Sequence, residues 1–337
     1  MLIQDQIRWS DYTDPAKRDE VLGFFRAIGV DTIHLELRSG VATPGSLGED
    51  LRNGRDCTDL FAQAREEIEA HGLKLNNVFM SCWPEIPLGK PDADAKIDAW
   101  CRMLESLGRA GIPHLGWNFK PMGNFRTTSD RGRGGVKYST FDYTEFTNNR
   151  PQPYAPEVSE AEMWERMEHF LQTVIPVAEK AGVRMALHPD DPPVPEPLGG
   201  VAQICSTPEQ FRRIFATVPS PNHAMLFCQG CMTEALGQGV YDFIAEMAGK
   251  GQIAWVHFRN VRGQLPRFAE VFMDEGDIDM RRAMEIYRDN GFNGPYMMDH
   301  TPTFPSGRSE WLGKAYAIGY IRALIQTVYE STPNHSQ

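Results

Sequence analysis

The sequence predicts a (β/α)8 barrel, the TIM-barrel architecture. Three observations lead there. Strand-like and helix-like segments alternate eight times with no break in composition. The length of 337 residues suits one large barrel with insertions, or else two ordinary domains. The two longest irregular stretches, 120–159 and 259–277, both follow strands. In a barrel that sets them on the C-terminal face, where active sites are built. A doubly wound sheet is the alternative, but it rarely needs eight uninterrupted βα units.

Each element has a local reason. Short apolar, β-branched or aromatic runs mark strands, and longer runs with a 3.6-residue period mark helices. The first strand is expected at 6–9, and a helix at 15–28 stops at Gly29. Strand 32–37 leads to helix 58–70, which stops at Gly72. Strand 74–80 leads to helix 93–110, which stops at Gly111. Strand 114–119 runs into the first insertion, and helix 161–180 follows it. Strand 184–188 and a Pro-rich loop precede helix 208–216, with Thr207 as its N-cap. Strand 224–228 leads to helix 240–248, and strand 253–258 to helix 278–290. Asp277 is expected to cap that last helix, with Asp274, Glu275 and Asp279 near its positive end. Strand 296–299 and helix 310–330 close the barrel, which fills residues 1–330 and leaves 331–337 as a frayed tail.

Composition narrows the function. The formal charge of −11 argues against nucleic acid and against an anionic membrane surface. It leaves room for a small anionic substrate at a local site. The six cysteines form no dense framework, so they read as reduced thiols in the cytoplasm. No basic-then-apolar leader and no run of about 18 uncharged apolar residues is evident. A homo-oligomer is expected.

The last four strands end in metal-binding side chains. His188, Cys228, His257 and Asp299 fall at equivalent points on consecutive strands. Barrel geometry would converge them above the core. Two imidazoles, a thiolate and a carboxylate make a complete divalent-metal set. Their neighbours suit catalysis. Asp190 and Asp191 follow His188 and would orient it or reach a substrate. Arg259 shares a strand face with His257 and is suited to gripping a carboxylate. His300 follows Asp299, and an imidazole there suits general acid or base work. The stretch 126–133 carries three arginines and reads either as a loop that closes over an anion or as a plain surface loop.

These motifs resemble the mannonate dehydratase family. The likeness rests on Leu-His-Pro-Asp-Asp-Pro-Pro at 187–193, Phe-Cys-Gln-Gly at 227–230 and His-Phe-Arg-Asn-Val at 257–261. It extends to Asp-Glu-Gly-Asp-Ile-Asp-Met at 274–280, Asp-His-Thr-Pro at 299–302, the stretch 117–122 and the last helix, and covers roughly 114–326. The resemblance implies a xylose-isomerase-like barrel and a manganese-dependent lyase that converts D-mannonate to 2-keto-3-deoxy-D-gluconate. Its ligands would fall on the same four residues, and its acid/base histidine on His300. Arg8, in an Arg-Trp pair, matches the family's opening motif; Asn118 and Arg308 join it as candidate substrate-binding side chains. Departures stand at Ser10, Arg38, Gln203 and Phe304.

The chemistry suits these residues. Breaking the C2–H bond beside a carboxylate builds charge that a divalent ion would stabilise. His300 is one proton-transfer partner, and Asp190, Asp191 or Tyr316 the other. Iron, cobalt or zinc would also suit Cys228. The alternatives are a metal-dependent sugar isomerase or epimerase and a non-catalytic sugar-acid binding protein.

Overall fold

The computed structural model describes residues 1–37, 46–149, 157–305 and 309–330. The chain folds into strands β1 (Ile3–Arg8), β2 (Thr32–Leu37), β3 (Lys74–Met80), β4 (His114–Trp117), β5 (Asp130–Arg131) and β6 (Lys137–Asp142). It continues through β7 (Arg184–Leu187), β8 (His223–Cys228), β9 (Ile253–His257), β10 (Asn260–Gln264), β11 (Arg267–Val271) and β12 (Tyr296–Met297). Eight of these close into a barrel in the order β1-β12-β9-β8-β7-β4-β3-β2. All eight barrel pairings are parallel. Every residue of β8 and β9 is buried. Strands covered on both faces read as continuous apolar runs, which is why these two were plain in the sequence.

Helix ends follow the local chemistry. Ser159 and Glu162 form a reciprocal cap on helix Glu160–Ala181, and Gly182 ends it in the left-handed region at φ 68°. Thr207 and Gln210 do the same for Pro208–Thr217. The barrel interior is tight. A Cβ on Gly116 would lie 2.7 Å from Phe79 and 2.9 Å from Trp255. These rings pack with Ala186, Ala224, Leu226 and Ala254 to fill the lumen below the strand ends.

Three expectations need correction. Asp277 does not cap the helix after β11. Asp279 does, accepting from the Arg282 amide, while Asp277 accepts from the Gly263 amide at 2.7 Å. A helix at Gln229–Leu236 starts directly after Cys228, before the expected one at Val240–Gly249. The last helix is α-helical only over Ser309–Ile325 and widens to a π-turn over Gln326–Glu330. The expected tail, 331–337, lies outside the described residues.

The insertions are more ordered than their sequence suggests. They pair with each other as a four-stranded antiparallel sheet, β10-β11-β6-β5. This sheet is a roof over the C-terminal mouth of the barrel. Phe141, Phe146, Val194, Leu198 and Phe268 pack beneath part of it, and Val136, Tyr138, Val271 and Phe272 form a second cluster.

Candidate metal centre and active site

His188 follows β7, Cys228 ends β8, His257 ends β9 and Asp299 lies two residues past β12. The first three strands are neighbours in the barrel, and β12 lies beside β9. Cys228 and His257 are register partners. Ligand atoms of His188, Cys228 and His257 all lie within 4.8 Å of one another. Asp299 Oδ2 lies 3.4 Å from His257 Nδ1. Among the described residues Asp299 is the one non-glycine with positive φ, at 67°. Aspartate tolerates that left-handed conformation better than most residues, and such outliers collect at functional sites. The turn brings its carboxylate to His257.

The donors suit a divalent cation. Neither ring nitrogen of buried His257 has a hydrogen-bond partner, which a ligated imidazole would explain. His188 Nδ1 lies 2.7 Å from the Pro189 carbonyl, so Nδ1 carries the proton and Nε2 is left with a lone pair. Burial pushes the Cys228 thiol up, but a hydrogen bond from Cys231, the Arg259 charge and the two imidazoles outweigh it and hold it well below its ordinary range. Burial likewise opposes ionisation of Asp299, and His257, His300 and Arg259 override it, leaving that carboxyl well below its usual value. Burial works against the His257 cation too, yet Asp299 and Cys228 raise its pKa to about 9. Two anions thus draw a positive charge to this point.

A buried charge network surrounds the quartet. Arg259, 3% exposed, donates to Glu234 at 2.9 Å and lies 3.2 Å from both Glu270 and Asp299. It also reaches Cys231 Sγ at 3.2 Å and Asp191 at 4.0 Å. Arg126 bridges Asp191 at 2.8 Å and Glu270 at 2.6 Å. Asp191, Cys231 and Glu234 form a second cluster of ligand types, but Arg259 already supplies their cation. Burial is the main cause that raises Glu234 to about 8.

The remaining candidates divide. His300 borders two cavities and is partly exposed. The first, about 300 Å³, is lined by Asn124, Arg126, Lys137, Arg259 and Glu270. The second, about 270 Å³, is lined by Gln6, Arg8, Asp299, Glu310 and Lys314. Arg8 is held loosely, 4.0 Å from Glu36 and 3.9 Å from Glu310. Asn118 donates to Ser81, and its buried Oδ1 has no partner. Arg308 lies outside the described residues, as does Arg38.

Several roles change. Arg259 borders a cavity, but its guanidinium is committed to protein carboxylates instead of being free to grip a substrate. Asp190 is buried, and its Oδ2 accepts from the Cys205 amide and the Ser206 hydroxyl, so it braces a loop. Asp191 is held by Arg126 and Asn124. Tyr316 points to Asp274 at 2.7 Å and packs on Phe272, away from both cavities. Two of the three arginines of 126–133 bind protein acids: Arg126 as above, and Arg133 at 2.6 Å from Asp274. Gln203 donates to the Pro192 carbonyl, and Phe304 packs on Phe272. Glu270 and Glu234 were missed. Glu270 had a signal, since it alternates with buried Phe268 along β11 and so shares its face.

The comparisons agree with this architecture. Residues 144–335 match the family described as D-mannonate dehydratase (UxuA). "Mannonate dehydratase 2" of Halalkalibacterium halodurans is 28% identical over 284 residues, 76% of this chain and 80% of that protein. The mannonate dehydratase of Streptococcus equi subsp. zooepidemicus is 25% identical and spans 93% of this chain and 88% of its own. The crystal structure of mannonate dehydratase from Streptococcus suis superposes with a TM-score of 0.82 at 22% identity, over 98% of this chain and 94% of that one. L-ribulose 3-epimerase shares the barrel with a TM-score of 0.61 at 13% identity, over 98% and 99%. No helix among the described residues is long and apolar enough to cross a membrane. A family match that spans more than half the chain, on a barrel of the same architecture, makes this protein a member of the mannonate dehydratase family of hydro-lyases.

Proposed function

We propose that the protein dehydrates D-mannonate to 2-keto-3-deoxy-D-gluconate with a divalent ion, manganese first, held by His188, Cys228, His257 and Asp299. The observation that carries this is the convergence of three ligand side chains from three adjacent strand ends within 4.8 Å. Family membership supplies the substrate class. Iron, cobalt and zinc would also accept this donor set.

The ion, when bound, supplies Lewis-acid stabilisation of the charge that builds on the substrate carboxylate as the C2–H bond breaks. The chain's residues do the rest. His300, at the border of both cavities, moves a proton: either it takes the one from C2 or it gives one to the departing C3 hydroxyl. Arg8 and Asn118 hold substrate oxygens, and Arg8 faces the cavity that contains Asp299. Arg259 keeps Asp299 and Glu270 in place from below. The roof sheet shields the reaction from bulk water. We place the enzyme in the cytoplasm, in keeping with six cysteines that are all free.

The test is an assay of chelator-stripped protein with and without restored manganese. Metal-dependent formation of the 2-keto-3-deoxy acid supports the proposal. Manganese binding without product refutes the substrate, and isomerised sugar with no loss of water would move the protein to isomerase chemistry.

A further inference from the structure

We infer that Arg131 and Lys137 form a capture pair at the rim of the roof, which draws the carboxylate of the sugar acid into the cavity that His300 borders. The inference rests on the reading of the substrate as a small sugar-acid anion. Arg126 and Arg133 are taken up by protein acids, and Arg131 is the third arginine of that stretch. It sits on β5 directly opposite Lys137 of β6. Lys137 lines the cavity of about 300 Å³ together with Ser139 of the same strand. Alternate residues of a strand share a face, so Lys137 looks the same way as Ser139. That face is the underside of the roof, because Ser139 pairs with Glu270, whose carboxylate lies 3.2 Å from Arg259. Cross-strand partners share a face as well, which sets Arg131 beside Lys137. Both residues are exposed, as a rim position requires.

Like charges directly opposite on neighbouring strands, with Cβ atoms about 5 Å apart, repel. Among the described residues, neither side chain has an ion pair or a hydrogen bond to relieve this. The nearby roof acids are committed elsewhere: Asp130 to Arg267 at 3.1 Å, Glu270 to Arg126 at 2.6 Å, Asp274 to Arg133 at 2.6 Å and Glu275 to the Tyr138 hydroxyl. An anion seated between Arg131 and Lys137 supplies the missing counter-charge. The surrounding field gives the pair its use. The chain carries a formal charge of −11, and Asp191, Glu234, Glu270 and Asp299 crowd the site. That field repels an approaching carboxylate, and two unpaired cations at the mouth reverse it locally.

The experiment uses manganese-loaded full-length protein in a His300→Gln background, so that binding is read without turnover. D-mannonate affinity is measured by calorimetry at low and high salt, with and without the pair Arg131→Gln and Lys137→Gln. Losing both charges should weaken binding about 10-fold at low salt, and the difference should vanish at high salt. The charge-keeping pair Arg131→Lys and Lys137→Arg should bind as the parent does. With His300 restored, kcat/KM should fall by the same factor while kcat holds. Equal affinities at low salt overturn the inference. A loss that persists at high salt overturns it too, as does a parent protein that binds no D-mannonate. The expected salt pattern without turnover in the wild type would refute the proposed function and leave the capture pair standing.

Discussion

The two halves of the barrel do different work at their strand ends. β7, β8, β9 and the turn after β12 deliver His188, Cys228, His257 and Asp299. β1 to β4 end in Arg8, Leu37, Met80 and Trp117, of which Arg8 alone is charged. The first half instead carries polar groups deeper in its strands. His34 lies 2.8 Å from Asn77, and buried Asp5 accepts from Lys314 at 2.6 Å. One half would hold the metal, and the other lends Gln6 and Arg8 to the cavity beside Asp299. The lesson is that a barrel built of eight similar units need not distribute its chemistry evenly. The family match, at residues 144–335, also falls mainly on the half that carries these four side chains.

The largest expected effect comes from breaking the charge network beneath the quartet. Arg259→Met removes the cation shared by Glu234, Glu270 and Asp299. Leaving buried acids unpaired should destabilise the fold by about 3–5 kcal/mol in urea denaturation, and activity should be lost. An unchanged urea midpoint would show that these acids find other partners. His300→Ala should bind metal as the wild type does yet lose kcat by about 10²–10⁴. Tyr316→Phe should leave kcat unchanged and shift stability by no more than about 0.5 kcal/mol, because its hydroxyl serves Asp274 on the roof. Full turnover in the histidine variant, or its loss in the tyrosine variant, would reverse these roles.

The smallest effect separates fold from site. His223 on β8 is buried and His114 on β4 is half-buried, and desolvation lowers each to about 4. Each stays neutral in the folded protein but protonates near 6.5 in the unfolded chain. Their contribution is full above pH 6.5 and is lost as pH falls toward 4. The urea midpoint should drop across that window in both halves alike, and His223→Gln should make the drop shallower. An identical profile in the variant would remove His223 from the acid response.

Much of this was readable in the sequence because it is periodic or sits at a strand end. The buried runs of β8 and β9 and the capping pairs Ser159–Glu162 and Thr207–Gln210 are local signals. The convergence of His188, Cys228 and His257 needed only the strand register. The roof was not readable. β10 and β11 are five-residue segments joined across Leu265 and Pro266, and β6 pairs with β11 from more than a hundred residues away. No local pattern reports such a pairing. The charge network was hidden for the same reason. Arg259 read as a free substrate clamp because Glu234, Glu270 and Asp191 reach it only in the folded chain. Asp190 read as catalytic because the Cys205 amide that occupies it comes from a later loop.

A divalent ion at the strand ends would be bound through the Cys228 thiolate. Titrating cobalt into chelator-stripped protein tests it directly, since a thiolate–cobalt bond gives an ultraviolet charge-transfer band. One equivalent should bind with that band present, and Cys228→Ser should abolish the band while Asp190→Asn keeps it. Stoichiometric cobalt binding with no thiolate band, or a band that survives Cys228→Ser, would contradict it.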